Sequence, residues 1–347
     1  MWIVALPRWK RHRRFCWPVD WTSDVPNHGE SSHKEHTPVL ANAFIDALCI
    51  DPDGTYVDAT FGRGGHSRML LNRLSSSGQL IALDRDPDAV AEGKRLETED
   101  PRFRIFYHDF ASLEMAINDA GWDQVTGIGF DLGVSSPQFD QPDRGFSFQH
   151  DGPLDMRMNF EHDQPLSQKL KHVSEKELVR VIREYGDERY AGRIARAILR
   201  DLKAGELNST RDLENTCFHA VPKQARYSGS HPATRTFQAL RIWVNDEYVQ
   251  IEGGVRCAMK HLLPGGRLAI ISFHSGEDRR IRDLIEAEVN PCTCPPQFPM
   301  CVCGRTPSMR WIQKKPLRPS EEEIAANPRS RSSMLRIAEA VAMDRTR

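Results

Sequence analysis

Strand-like and helix-like segments alternate regularly between residues 55 and 132, and this alternation constrains the fold more than any other feature of the sequence. Short β-branched or apolar runs predict four strands, at 55–60, 80–83, 104–107 and 127–132, with amphipathic helical patterns around them. Strands that alternate with helices are typical of a parallel, doubly wound sheet. We therefore predict an α/β fold with a central parallel sheet.

The alternation stops after residue 137 and resumes only with a fifth predicted strand at 267–273. Between these points, 140–158 is rich in Gly, Pro and Asp, which predicts an ordered loop or a linker. The apolar residues of 174–203 then recur at helical intervals. We interpret 138–235 as a helical domain that is inserted into the sheet domain and recognises the substrate.

The sheet domain would then be formed by two separate segments, 36–137 and 236–347. Residues 1–35 stand apart, because 1–19 carries five basic residues and no acid and the rest lacks hydrophobic periodicity. Such a start fits an organelle transit peptide, an arm that binds nucleic acid, or a disordered tail. We expect a disordered tail, since chain termini are disordered unless something ties them down.

Charge and composition exclude several classes of protein. Forty-seven basic and 48 acidic residues give a net charge of −1, so any surface that binds nucleic acid must be local. A hydrophobic content of 39% is ordinary for a soluble protein, and the longest apolar runs are too short to cross a membrane. Eight cysteines are too few for a disulfide scaffold in a chain of 347 residues. We expect a reducing, cytoplasmic setting and no membrane partner.

Aspartates stand at or just after the ends of four predicted strands, where parallel sheets bind their ligands. They are Asp58, Asp84, Asp109 and Asp131. The turn at 61–66 is rich in glycine, but Ser67 replaces the third glycine of a dinucleotide motif. Asp58 would repel a pyrophosphate and attract an ammonium group, Asp84 suits ribose hydroxyls, and Phe110 suits adenine. The pattern favours S-adenosylmethionine over NAD; alternatively, each acid caps the helix after it.

The segment after the fourth strand carries the predicted chemistry. Ser136-Pro137-Gln138-Phe139 is similar to the Ser-Pro-Pro-aromatic motif of methyltransferases that act on the N4 amine of cytosine. Asp131 and the backbone carbonyls of Ser135, Ser136 and Pro137 would accept the protons of the amine, and Phe139 would stack on an extruded base. Viewed alone, the tetrapeptide is equally typical of a turn that ends a strand.

The sequence resembles the RsmH/MraW family, which methylates N4 of a cytosine in the decoding region of bacterial 16S ribosomal RNA. The resemblance covers about 36–341 and rests on blocks that occur in the family's order. They include His-Thr-Pro-Val-Leu at 36–40, Phe-Gly-Arg-Gly-Gly-His at 61–66, Leu-Asp-Arg-Asp-Pro at 83–87, Asp-Leu-Gly-Val-Ser-Ser-Pro-Gln at 131–138, His-Pro-Ala-Thr-Arg-Thr-Phe-Gln at 231–238 and Asn-Pro-Arg at 327–329. One departure is Gly276, where the family usually has leucine.

The resemblance implies a Rossmann-like class I methyltransferase fold with an inserted helical domain. It also implies S-adenosylmethionine as the cofactor and 16S ribosomal RNA, within the small ribosomal subunit, as the partner. The contacts that it implies for the cofactor are Gly64, Gly65, His66, Asp84, Phe110, Asp131 and Gln138. The sequence leaves open whether the chain is a monomer or a homodimer.

Substrate contacts are expected at Arg235 and His274 in addition to Phe139. His274 follows the fifth predicted strand, where it either holds the target nucleotide or caps the next helix. Four arginines at helical spacing in the insertion form either a basic stripe for RNA or part of a solvated helix face of mixed charge. This arginine stripe comprises Arg189, Arg193, Arg196 and Arg200.

Four of the cysteines lie in two close pairs, Cys292-x-Cys294 and Cys301-x-Cys303, with six residues between the pairs. They indicate either a zinc site of four thiolates or a set of reduced thiols in a tight loop. The C-x-C spacing is less common than C-x-x-C and weakens the zinc interpretation. We assign no metal ligands from the sequence, and methyl transfer needs no catalytic metal.

Three competing functions deserve comparison with RNA methylation. A dehydrogenase with the same sheet is disfavoured by Ser67 and Asp58. A DNA amino-methyltransferase would share the Ser-Pro-x-aromatic motif but not the long helical insertion. A non-catalytic RNA-binding protein would not need Asp131 together with Ser136 and Pro137.

Overall fold

Seven strands form a single sheet in the computed structural model, which describes residues 38–133, 141–160, 163–227, 231–295, 297–298 and 300–342. The strands are β1 (Thr55–Asp58), β2 (Gln79–Asp84), β3 (Phe103–Tyr107), β4 (Val125–Asp131), β5 (Leu262–Ser272), β6 (Met309–Leu317) and β7 (Met334–Ala340). Their order is β3-β2-β1-β4-β5-β7-β6. The pairings from β3 to β5 are parallel, whereas β7 is antiparallel to both β5 and β6.

Twelve α-helices flank or interrupt this sheet within the described residues. They are α1 (Ala41–Leu48), α2 (Gly65–Leu71), α3 (Pro87–Glu99), α4 (Leu113–Asp119), α5 (Leu166–His172), α6 (Glu175–Gly186), α7 (Ala191–Ala204), α8 (Thr210–Ala220), α9 (Pro232–Val244), α10 (Glu247–His261), α11 (Ser275–Val289) and α12 (Glu321–Ala326). None of the described helices is long and apolar enough to span a membrane.

Successive residues of each central strand are buried on opposite faces of the sheet. Val57 and Ile81 join a core with α4, α10 and α11, whereas Tyr56 and Leu80 join a second core with α1, α2 and α3. Helices cover both faces, so the strands contain almost uninterrupted apolar residues. The fold predicted from the sequence, a Rossmann-like doubly wound sheet, is confirmed, as are the five parallel strands.

A third apolar core lies among the helices between β4 and β5. It is formed by one face of each of α5 to α9, together with residues of the preceding segment such as Leu154 and Met156. Residues 141–160 accordingly form an ordered loop. Helix α9 spans the predicted domain boundary at residue 235, and its residues Phe237 and Leu240 belong to this core. The division into 36–137, 138–235 and 236–347 stays a prediction, and residues 1–35 lie outside the described part of the chain.

Two strands, β6 and β7, were not predicted from the sequence. Both contain charged residues, and all of β7 is buried. Arg336 forms a two-pronged ion pair with Asp278, with nitrogen–oxygen distances of 2.6 and 2.9 Å, and Glu339 pairs with Arg267 at 3.1 Å. Charged side chains are tolerated inside this sheet because each one has an opposite charge beside it.

Candidate active site

The carboxyl ends of β1, β2 and β4 place three aspartates along one edge of the sheet. Asp58 ends β1, Asp84 ends β2 and Asp131 ends β4. Strands β1 and β4 are adjacent, and Asp58 pairs with Gly129, two residues before Asp131. All three aspartates therefore lie at the edge where open parallel sheets bind ligands.

A tight turn of glycines joins β1 to α2 at this edge. Gly62 and Gly64 both have left-handed backbone angles, with φ of +56° and +73°. A β-carbon at Gly64 would also lie 2.7 Å from the ring of Phe61. The turn therefore requires glycine at position 64 for two reasons, backbone angle and space.

Asp84 is fixed by two backbone N–H groups. Gly62 donates to Oδ2 at 2.7 Å, and Asp86 donates to Oδ1 at 2.8 Å. Burial raises the pKa of Asp84 to about 6. A carboxylate has more acceptor positions than these two bonds use, so Asp84 can also accept hydrogen bonds from ligand hydroxyl groups.

Asp58 and Asp109 have local partners instead. Asp58 is only 4% exposed and accepts hydrogen bonds from the Ser67 hydroxyl at 2.6 Å and the Thr60 backbone N–H at 3.1 Å. Asp109 accepts from the backbone of Ser112 at 3.0 Å and from the Gln250 amide at 3.0 Å. Asp109 therefore caps the short helical turn after it, as one of the two sequence interpretations predicts. Asp58 instead binds residues on both sides of the glycine turn, Thr60 and Ser67.

His66, which is buried, and Asp131, which is half-buried, form a polar pair next to the glycine turn. Nε2 of His66 lies 3.4 Å from Oδ2 of Asp131, and the Asp131 backbone N–H donates to Thr60 at 2.6 Å. Burial alone would lower the pKa of His66, but the neighbouring carboxylates of Asp131 and Asp58 raise it above its ordinary value. Both ring nitrogens and Oδ1 of Asp131 are buried without a hydrogen bond inside the described ranges. Buried polar atoms of this kind fit a polar ligand.

Phe110 follows β3 and lies on the α10 side of the sheet. Its ring meets Phe130 edge to face, with 5.9 Å between ring centroids, and remains partly exposed. Helix α10 passes close by at Gly254, where a β-carbon would lie 2.8 Å from the Phe110 carbonyl oxygen. Phe110 thus offers an apolar surface one strand away from Asp84.

The remaining residues of the predicted reaction site follow β4 along the chain. Ser136, Pro137, Gln138 and Phe139 all lie outside the described residues. Their assigned roles in catalysis, cofactor binding and base stacking stay predictions.

Arg235 and the start of α11, two of the predicted places of substrate contact, both contact Asp187. The backbone carbonyl of Asp187 accepts a hydrogen bond from the Arg235 guanidinium at 3.2 Å. The carboxylate of Asp187 lies 3.5 Å from the Ser275 hydroxyl. His274 caps α11: Glu277 donates its backbone N–H to Nδ1 at 3.3 Å, and Nε2 lies 3.0 Å from the Glu277 carboxylate. The capping alternative is thus observed for His274, and its contact with substrate stays a prediction.

Arg241, six residues after Arg235 on the same helix, has its charge balanced inside the protein. It is buried and donates two hydrogen bonds of 2.8 Å to Glu247, with Glu277 3.7 Å away. Burial would raise the pKa of Glu277, but His274 and Arg241 hold it below its ordinary value. Because its charge is already balanced, Arg241 is a structural residue and is not free to bind phosphate.

Gly276, the departure from the family pattern, has a physical explanation. A β-carbon at this position would overlap the hydroxyl group of Tyr248. Tyr248 is 4% exposed, and its ring is covered by the Arg280 guanidinium at 3.8 Å. The glycine therefore makes room for a tyrosine that has little freedom to move.

Sequence reasoning missed the contacts that hold the 141–160 loop beside the carboxyl end of β2. Arg144 is buried 3.3 Å from Asp86, two residues after the end of β2, and donates to the carbonyls of Arg157 and Met158. Asn245 donates to the Met156 carbonyl and accepts from the Met158 N–H, both at 2.8 Å. Arginine in a predicted loop normally indicates a solvated side chain, so the sequence carried no signal for this burial.

A family model and curated relatives match most of this chain. A model of the MraW methylase family matches residues 33–341. Ribosomal RNA small subunit methyltransferase H of Carboxydothermus hydrogenoformans is 47% identical over 305 residues, covering 88% of this chain and 97% of that protein. The protein of the same name from Symbiobacterium thermophilum is 45% identical over 302 residues, 87% of this chain and 95% of that one.

Among solved structures, an rRNA methylase from Streptococcus thermophilus has a TM-score of 0.38 and 11% identity, covering 87% of this chain and 94% of that chain. The family assignment rests instead on the matched residues and on the identities to the curated relatives. The resemblance inferred from the sequence blocks is confirmed: the chain belongs to the MraW methylase family.

Proposed function

We propose that this chain transfers a methyl group from S-adenosylmethionine to the exocyclic N4 amine of a cytidine in 16S ribosomal RNA. The observation that carries this proposal is the pair of buried His66 and half-buried Asp131 next to the glycine turn, in which both His66 ring nitrogens and Oδ1 of Asp131 lack hydrogen bonds inside the described ranges. The curated relatives, which are named as small-subunit ribosomal RNA methyltransferases, support the choice of substrate.

The cofactor is held by the edge of the sheet from β1 to β3. Asp84 accepts hydrogen bonds from the ribose hydroxyls, and Phe110 contacts the adenine. The turn at Gly64 and Gly65 allows the methionine part to approach the backbone closely, and His66 borders it. Gln138 completes the proposed set. When bound, S-adenosylmethionine supplies an electrophilic methyl group on sulfur.

Asp131 is the proposed acceptor for the amine of the target base. The N4 lone pair of cytosine is delocalised into the ring, so the amine is a weak nucleophile. A carboxylate that accepts an N–H bond orients the amine and takes up the positive charge that develops on it. Ser136 and Pro137 add backbone acceptors in this proposal, and Phe139 stacks on the extruded base.

The helices of the insertion present the arginine stripe to the RNA. Arg193, Arg196 and Arg200 lie on the exposed face of α7, whose opposite face is buried in the insertion core, and Arg189 is exposed just before the helix. Arg235 and His274 lie at the corner marked by Asp187, and we propose them as contacts to the target nucleotide. Phosphate contacts of this kind position RNA without reading its sequence.

The decisive experiment uses labelled S-adenosylmethionine with three acceptors: assembled small ribosomal subunits, free 16S ribosomal RNA and duplex DNA. Digestion to nucleosides and mass spectrometry would then identify the product. We expect N4-methylcytidine at one site in ribosomal RNA. Label that appears only in DNA, or at a carbon or sugar oxygen, would overturn the assignment, and the first two acceptors distinguish free RNA from the subunit.

A further inference from the structure

The four clustered cysteines lie on the segment between α11 and β6, away from the aspartates of the sheet edge. Their ligand atoms all lie within 4.8 Å of one another. Cys301 is central: its sulfur is 3.5 Å from that of Cys292, 3.8 Å from that of Cys294 and 3.4 Å from that of Cys303. The sulfurs of Cys292 and Cys303 are 3.9 Å apart.

These spacings match a metal centre. Four sulfurs at about 2.3 Å from one zinc ion in a tetrahedron are separated from each other by about 3.8 Å. A disulfide requires a sulfur–sulfur distance of about 2.0 Å, and all four cysteines are free thiols. We propose that Cys292, Cys294, Cys301 and Cys303 bind one zinc ion as a closed structural site.

The surrounding backbone supports the same assignment. The backbone N–H of Val302 donates to the sulfur of Cys294 at 3.3 Å. Hydrogen bonds of this kind orient a thiolate ligand and reduce its negative charge. Gly304, directly after the last cysteine, has a left-handed φ of +63°, which turns the chain away from the cluster. The second pair folds back on the first, so the short C-x-C spacings still bring four sulfurs together.

Among the residues of this segment that the structure describes, the large apolar side chains form no buried core that could hold it together in place of a metal. Its large apolar residues point into solvent, with exposed fractions of 51% for Phe298, 76% for Met300 and 73% for Val302. The described contacts hold the segment at its C-terminal end. There the Ser308 backbone N–H donates to the Glu288 carbonyl at 3.1 Å, and the Ser308 hydroxyl donates to the Glu288 carboxylate at 2.6 Å. A metal bound by four residues of the loop would fix its shape, as in other small zinc sites.

The ligand type narrows the choice of metal ion. Four thiolates select zinc or iron among the common metals, whereas magnesium and calcium require oxygen ligands. With four protein ligands no coordination position stays open for water or substrate, so the site is structural and takes no part in methyl transfer. This inference is independent of the proposed function.

The first test is the metal content of the full-length chain, purified without a metal-affinity tag or chelator. Elemental analysis should find one zinc per chain in the native sequence and none in the double variant Cys292→Ser/Cys301→Ser. Cys49→Ser, which removes a thiol outside the cluster, should retain one zinc. Circular dichroism should show that all three chains are folded.

The second test uses the native sequence alone. Chelator should remove the zinc and expose residues 290–308 to protease while the sheet domain stays intact, and added Co²⁺ should give the visible absorption of a tetrahedral thiolate complex. Stoichiometric iron, two disulfides in metal-free protein, or zinc that survives the double substitution would each overturn the proposal.

Discussion

Oδ2 of Asp84 accepts a hydrogen bond of 2.7 Å from the Gly62 backbone N–H, and this bond ties the end of β2 to the glycine turn after β1. The turn and the proposed ribose acceptor therefore form one unit. A change in the charge of Asp84 should alter both the cofactor contact and the turn.

Cofactor affinity should therefore depend on pH. Burial raises the pKa of Asp84 to about 6, and ribose hydroxyls donate to the ionised carboxylate. Protonation thus opposes binding as the pH falls through 6, and the dissociation constant should rise about tenfold between pH 7.5 and pH 5. Titration calorimetry with S-adenosylmethionine or its demethylated product measures this directly.

The matched control for this pH effect is Asp84→Asn. This variant should bind S-adenosylmethionine weakly at every pH, and its affinity should no longer change near pH 6. Asp119→Asn, an exposed aspartate at the end of α4, should behave like the native sequence. Equal affinity at pH 5 and pH 7.5 in the native sequence would refute the role given to Asp84.

Replacing Asp131 should separate catalysis from folding. We expect Asp131→Asn to reduce the rate of methyl transfer by about 10²–10⁴-fold, the range for loss of a positioned proton acceptor, with little change in thermal stability. The same variant removes one of the two carboxylates that raise the pKa of His66, so the pKa of this imidazole should fall. Single-turnover assays and histidine NMR titrations provide the two readouts, and Asp119→Asn is again the control.

An Asp131→Asn enzyme with full activity would remove Asp131 from the reaction. A His66 pKa that did not fall in the variant would show that the 3.4 Å pair does not exist in solution.

Restoring the family's usual leucine at position 276 should destabilise this chain. Gly276→Leu forces a side chain against the hydroxyl group of the buried Tyr248, and overpacking of this kind costs about 1–3 kcal/mol in the free energy of unfolding. Removing the hydroxyl in Gly276→Leu/Tyr248→Phe should recover part of the loss, as urea denaturation would measure.

Gly192→Leu is the matched control, because a β-carbon there would have only the end of the exposed Arg196 side chain, 3.7 Å away, as a near neighbour. If leucine at position 276 cost no more than leucine at position 192, the packing explanation would be wrong.

The arginine stripe should contribute to RNA affinity through charge alone. Arg193→Ala/Arg196→Ala should weaken binding to ribosomal RNA of any sequence and lower the slope of log K against log salt concentration by about 1–2. Fluorescence anisotropy at several salt concentrations measures both quantities. Arg95→Ala, which removes an exposed arginine on α3, is the control, and an unchanged slope in the double variant would assign the stripe to a solvated face.

The sequence predicted the five parallel strands because their apolar runs are short, are bounded by turn residues and alternate with helices. The sequence did not predict β6 and β7, because charged residues such as Arg336 interrupt the apolar pattern. Only the fold shows that Asp278 balances the charge of Arg336. Likewise, no local pattern reveals that Arg241 is buried against Glu247 or that Arg144 lies beside Asp86. Partners distant in sequence determine whether a charged residue is structural or available to a ligand.

The position of β7 affects how the chain matures. The last strand along the described chain, β7, lies between β5 and β6 in the sheet. The sheet is therefore incomplete until residue 340 has left the ribosome. Until then the backbone N–H and C=O groups of β5 that pair with β7 are exposed to solvent and to other nascent chains. Premature termination a few residues short of this point should yield an aggregation-prone product rather than a slightly shortened enzyme.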